Sequence, residues 1–163
     1  HDCIEKFKAD FVVWIMISIE PIAENNPAPA FAIYKQAMRE STEAARGEPW
    51  TEDREYHQFC NQWQIETSHW IMHNQQRVGF LDLRTENNRL FIYNIAIHPN
   101  HQKKGIGSKV LSQLKQQAQQ QNLKLELGVL KVNSRARTLY ERHGFRAVGQ
   151  KKHHVQMRWM ESK

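Results

Sequence analysis

The segment IAIHPNHQKKGIGSKVL, Ile95 to Leu111, restricts the folding options more than any other stretch of this chain. An apolar run passes through Pro99 into a basic turn holding Gly105 and Gly107, and then into Ile106, Val110, Leu111, Leu114 and Ala118, which share one helix face. A strand-to-helix junction of this kind exposes the unpaired N–H groups of the helix's first turn. Those groups carry partial positive charge and suit phosphate oxygens. Glycine at 105 and 107 removes side-chain obstruction and permits positive φ, so that successive amides converge on one anion. Lys103 and Lys104 add charge at the rim. Read alone, a G-x-G is more often a plain strand-to-helix turn. No G-x-x-x-x-G-K-[ST] can be drawn through it, and the third glycine of the dinucleotide fingerprint is missing, which disfavours a nucleoside-triphosphate loop and a Rossmann site.

The flanking pattern gives α+β organisation with one mixed sheet. Met16 opens MISIEPIAENNPAPA, an alternating strand followed by a Pro- and Asn-rich turn. Residues 1–15 read either as a leader or appended stretch, or as an added N-terminal strand, with 16–163 as a single domain. Phe31, Tyr34, Met38 and Ala45 recur at helical spacing until Gly47 and Pro49. A second helix follows Thr51 as N-cap, burying Tyr56, Phe59, Cys60 and Trp63. Ile65–His73, Arg77–Arg84 and Arg89–Ile97 form an antiparallel meander, with hairpin turns at Asn74-Gln75-Gln76 and Glu86-Asn87-Asn88. Beyond the glycine turn and its helix come a strand, Leu123–Leu130, a short helix, Ser134–His143, closed by Gly144, and a final hairpin.

At 163 residues the chain suits one domain. Its longest apolar run, Phe11 to Ile19, falls well short of the roughly 20 residues that span a bilayer. The acidic residues before that run argue against a secretory signal. Two cysteines make no disulfide framework, so a reducing cytoplasm is the simplest compartment. The net charge of +6 favours anionic partners without choosing among nucleic acid, phosphorylated cofactor and acidic protein.

Gln102-Lys103-Lys104-Gly105-Ile106-Gly107 resembles the Q/R-x-x-G-x-G/A signature of the GNAT superfamily of N-acetyltransferases. Asn133, followed by Leu139-Tyr140-Glu141-Arg142-His143-Gly144-Phe145, resembles that family's N…LYE…GF segment. The similarity runs from about Ile17 to the C-terminus. It implies a GNAT-like, mostly antiparallel sheet split by a V-shaped opening and flanked by about four helices. The implied co-substrate is acetyl-coenzyme A, with no metal. Its pyrophosphate would lie on Gln102, Lys103, Lys104, Gly105, Ile106, Gly107 and Ser108, and its pantetheine arm along Ile95, Ala96 and Ile97. Asn133 would contact it from the opposite side while also capping the helix at Ser134.

The implied reaction moves an acetyl group to a primary amine. A backbone N–H near Ile95 to Ile97 would bind the acetyl oxygen. Tyr140 would protonate the leaving thiolate, its alternative role being a core aromatic. Many family members carry a basic glutamate on the strand where this chain has Phe91 and Tyr93, so the base stays unassigned among water, Glu66, Asp82, His153 and His154. His57-x-x-Cys60 and His69-x-x-x-His73 have some ligand-like spacing, but the second pair lies on an expected strand and the first fits a buried stripe. A basic nucleic-acid-binding module using Trp50 and Trp70, and a catalytically silent acyl-coenzyme A-binding domain, are the competing readings. The acceptor, a small-molecule or peptide amine, would be chosen by the first two helices, the loop at Gly47–Thr51 and the final hairpin. A homodimer is left open, and no membrane partner is expected.

Overall fold

The computed structural model describes residues 17–161, so the readings made for residues 1–15 and for Met16 lie outside the described residues. Its elements run β1 (Ile17–Pro21), α1 (Ala28–Arg46), α2 (Glu52–Gln62), β2 (Ser68–His73), β3 (Gln76–Glu86), β4 (Arg89–Ile97), α3 (Ile106–Gln121), β5 (Lys124–Leu130), α4 (Ser134–Arg142), β6 (Phe145–Gln150) and β7 (His154–Trp159). The strands form one sheet in the order β1-β2-β3-β4-β5-β7-β6. Every neighbouring pair is antiparallel except β4 with β5. The fold is therefore α+β, with a mixed, mostly antiparallel open sheet and four α-helices among the described residues.

Local chemistry sets the element boundaries. α1 starts three residues ahead of the periodic apolar positions because Pro29 fits a helix's first turn, and it ends at Gly47, whose φ of +68° lets its N–H close on Glu43 C=O. Thr51 does occupy the N-cap of α2, but its side chain makes no capping bond. Glu52, Asp53 and Glu55 supply negative charge to that first turn instead. Ile65–Thr67, expected as strand, is a single 3-10 turn, held by the Ser68 hydroxyl donating to Gln64 C=O at 2.6 Å. Both early hairpins turn on residues with positive φ: Asn74 and Gln75, then Asn87 and Asn88. Two successive left-handed residues match the twist of the flanking strands.

The sheet buries a separate core on each face. On one, α3 and α4 bring Ile106, Val110, Leu111, Leu114 and Tyr140 against Ile71, Leu81, Ile92, Leu127 and Met157. On the other, α1 and α2 bring Phe31, Ile33 and Phe59 against Trp50, Trp70, Phe80 and Ala96. Trp50 and Trp70 are thus 8% and 6% exposed, not free surface platforms. Arg77 covers the Trp70 ring at 4.5 Å. The stacking surface that a single-strand nucleic-acid reading assigned to these two side chains is therefore absent at both positions.

Candidate active site

β4 and β5 part company along their length. They pair in parallel from Arg89–Lys124 to Ile92–Leu127, and pairing then stops although both strands continue. The cause lies on β4's other edge. There the register against β3 shifts between Asp82 and Leu83, leaving Tyr93 as an extra, unpaired residue. Such a bulge bends its strand and raises its twist. The result is the V-shaped opening, the centre of a cleft of about 1760 Å³.

Beyond the bulge, the antiparallel alternation decides which backbone groups face the opening. His98 N–H donates to Val78 C=O at 2.9 Å. By that alternation Ala96 and Asn94 turn toward β3, while Ile95 and Ile97 turn their N–H and C=O groups to the open side. Gln102 Nε2 donates to Ile97 C=O at 2.9 Å and so ties the basic turn to the strand end.

The turn itself is open to a ligand. The α3 ladder begins with Lys109 N–H on Gly105 C=O at 3.1 Å, so the amides of Ile106, Gly107 and Ser108 lack intrahelical acceptors. Those of Lys103, Lys104 and Gly105 make no backbone hydrogen bond among the described residues. The positive φ values belong to Lys103 (+64°) and Gly105 (+80°). Gly107 does not share them, contrary to the sequence expectation. It sits inside α3, where an added Cβ would meet only Leu139 Cδ2 at 3.5 Å. Its contribution is a missing side chain at the mouth of the amide cradle.

Asn133 and Tyr140 line the facing wall. Asn133 Oδ1 accepts from Ala136 N–H at 3.2 Å, so it caps α4 and its amide nitrogen is left for another partner. Tyr140 packs against Phe145 with ring centroids 5.9 Å apart, and burial pushes its hydroxyl pKa up to about 12. All of the residues expected to hold the co-substrate thus line one cleft, except Lys104, which does not.

The proton-accepting candidates separate. Asp82 is buried and fully occupied, bonded by the Thr67 hydroxyl at 2.7 Å and by Arg84 at 2.8 Å. Neither it nor Glu66 reaches the cleft, whereas His153 and His154 line it. Burial, then His153 and Lys151, lower the His154 pKa below the ordinary imidazole value. The α1 side of the cleft is walled by arginines that sequence reasoning missed. Arg84 lies 3.7 Å over the Tyr93 ring and Arg89 lies 4.4 Å over Phe91. On the helical side, Arg46 is ion-paired to the buried Glu55. The one available sequence signal was a polar residue, Thr42, inside the buried stripe of α1.

The model of the Acetyltransferase (GNAT) family matches residues 34–145. No curated protein sequence matches. Among solved structures, a protein of Pyrococcus horikoshii OT3 is 24% identical, with a TM-score of 0.68 over 90% of this chain and 99% of its own. The PaiA N-acetyltransferase of Thermoplasma acidophilum, solved in complex with coenzyme A, is 15% identical, with a TM-score of 0.66 over 89% and 99%. The ribosomal-protein-S18-alanine N-acetyltransferase of Escherichia coli is 20% identical, with a TM-score of 0.64 over 91% and 97%. At these identities the likeness is one of fold.

Proposed function

Because this chain belongs to the GNAT acetyltransferase family, we propose that it transfers an acetyl group from acetyl-coenzyme A to the primary amine of a small molecule or peptide. The observation that carries this reading is the end of β4–β5 pairing at Ile92–Leu127, which leaves polar edge groups of Ile95 and Ile97 toward the cleft. Buried backbone groups need partners, and an amide-bearing pantetheine arm supplies them as a surrogate strand. The amides of Lys103 to Ser108, with Lys103 and Lys104 beside them, are suited to the diphosphate.

In the reaction the neutral amine nitrogen attacks the thioester carbonyl carbon, the C–S bond breaks, and the sulfur leaves as thiolate. The Ile95 or Ile97 N–H stabilises the negative charge growing on the carbonyl oxygen. Tyr140, kept protonated by its burial, gives its proton to the thiolate. His153 and His154 stand on the wall where the acceptor's surplus proton must leave, directly or through water.

A catalytically silent acyl-coenzyme A-binding domain is the second reading. It is favoured by Phe91 and Tyr93 on β4, where a carboxylate base would be expected. Two measurements decide. Stabilisation by coenzyme A in a thermal titration, with none by DNA or RNA, supports the site. Thiol release with a panel of amines then separates turnover from binding alone, and a panel without release leaves only the silent reading.

A further inference from the structure

Among the described residues, the sheet face that carries the acceptor half extends past the cleft without a cover. α1 packs over β3, β4 and part of β5, α2 adds Phe59 against Phe80, and neither helix packs closely on β7 or β6. On that face β5 presents Lys124 and Glu126, β7 presents Arg158, and β6 presents Arg146, all opposite in direction to the buried Leu125, Leu127 and Met157. Glu126, Arg158 and Arg146 lie side by side across the three strands. The two arginine side chains part: Arg158 reaches Glu126 at 3.1 Å, while the Arg146 guanidinium donates to the carbonyls of Glu141 and Phe145.

Glu126 is the single acidic residue of these three strands. It is already shared, accepting from Arg158 at 3.1 Å and Arg89 at 3.3 Å. Lys124, Arg146, Lys151 and Lys152 are all exposed, and among the described residues none forms an ion pair. The shelf joins the cleft through Gly128 and Gln156, and Lys151 stands on the cleft wall.

We propose that this shelf binds an acceptor peptide bearing carboxylates a few residues from the reacting amine. The proposal rests on the amine-transfer reading and names its substrate class. An unneutralised cationic surface beside a thioester cleft attracts an acidic chain and repels a polycation, so basic acceptors are selected against. A peptide fits better than nucleic acid because the cleft requires an aliphatic amine, and because Phe145 of β6 and Trp159 of β7 both turn to the buried face of the shelf strands.

The test is fluorescence anisotropy on the whole protein with coenzyme A bound. It uses three labelled peptides that share an N-terminal residue and carry a downstream Glu-rich, Ser-rich or Lys-rich tract. The Glu-rich peptide should bind at least tenfold more tightly than the Ser-rich one, with the difference shrinking as salt rises. The double variant Lys124→Glu with Lys152→Glu should remove that preference. Both side chains are exposed and make no ion pair among the described residues, so the variant should fold, and an unchanged coenzyme A affinity reports that it has. Equal affinity for the three peptides, an unaltered preference in the variant, or equal competition by a single-stranded oligonucleotide would overturn the proposal. Selective peptide binding without thiol release faults the acetyl-transfer reading and leaves the shelf assignment standing. Thiol release without charge preference does the reverse.

Discussion

Burial raises the Tyr140 pKa to about 12 and its side chain lies on the cleft wall, the two properties that the proposed proton donor to the leaving thiolate needs. Tyr140→Phe is expected to lower kcat by about a hundredfold, within the usual range for a lost general acid, while coenzyme A affinity stays within about twofold. Single-turnover and binding measurements separate the two. The same shift has a stability consequence. An unfolded tyrosine ionises near 10 and the folded one near 12, so the contribution is complete below pH 10 and disappears as pH rises through 12. Alkaline unfolding should therefore be less steep in the Phe variant over that window. Gly107 carries a sharper test, because its neighbour at 3.5 Å tolerates a methyl group whereas an anion does not tolerate a carboxylate. Gly107→Ala should keep coenzyme A binding, and Gly107→Glu should weaken it at least tenfold with little change in melting temperature. These residues were legible in the sequence because a phosphate cradle demands particular residue types at consecutive positions. Which of the candidate bases reaches the cleft was not legible, since only the folded chain withdraws Asp82 into its pairing with Arg84 and Thr67 and brings His153 and His154 to the wall.

At the level of elements, β4 is the component on which the opening depends, and Gly79 of β3 sets how closely its neighbour lies. A Cβ at Gly79 would stand 2.7 Å from Ala96 C=O, a backbone atom that cannot swing aside. Gly79→Ala should therefore displace β4 just where its edge groups face the cleft. We expect a loss of roughly 1–3 kcal/mol in denaturant unfolding, together with weaker coenzyme A binding. Binding unchanged in a destabilised variant would show that the edge of β4 is not part of the site. The hairpin turns could be read directly, since Asn74-Gln75 and Asn87-Asn88 are polar pairs of which three are asparagine, the residue that best tolerates positive φ after glycine. The bulge at Tyr93 had no such signature, because an extra residue in a strand leaves its apolar alternation almost intact. Trp50 and Trp70 were misread for a related reason. A tryptophan bordering polar residues looks exposed until α1 and α2 close over the sheet.

Across the whole molecule, two cores grip opposite faces of one sheet, and the sheet between them is interrupted above Ile92 and Leu127. The β1–β4 meander and the β5–β7–β6 unit are joined there by only four residue pairs, Arg89–Lys124 to Ile92–Leu127, and by the helices that straddle them. A ligand lying in the gap supplies the missing neighbour to both sides at once. It should therefore stabilise the whole fold cooperatively, not just its own loop. A ligand that binds only the folded state at a hundred times its dissociation constant adds about 2.7 kcal/mol. For a chain of this size that corresponds to a rise in melting temperature of roughly 5–10 °C. Amide hydrogen exchange should slow on both sides of the opening, in β4 from Tyr93 to Ile97 and in β5 from Gly128 to Leu130, as well as in the first turn of α3. Desulfo-coenzyme A should reproduce this pattern, because the arm and diphosphate carry the contacts. Protection confined to the α3 turn would mean that the diphosphate binds while the arm stays outside the sheet, and the surrogate-strand reading of the cleft would then fail.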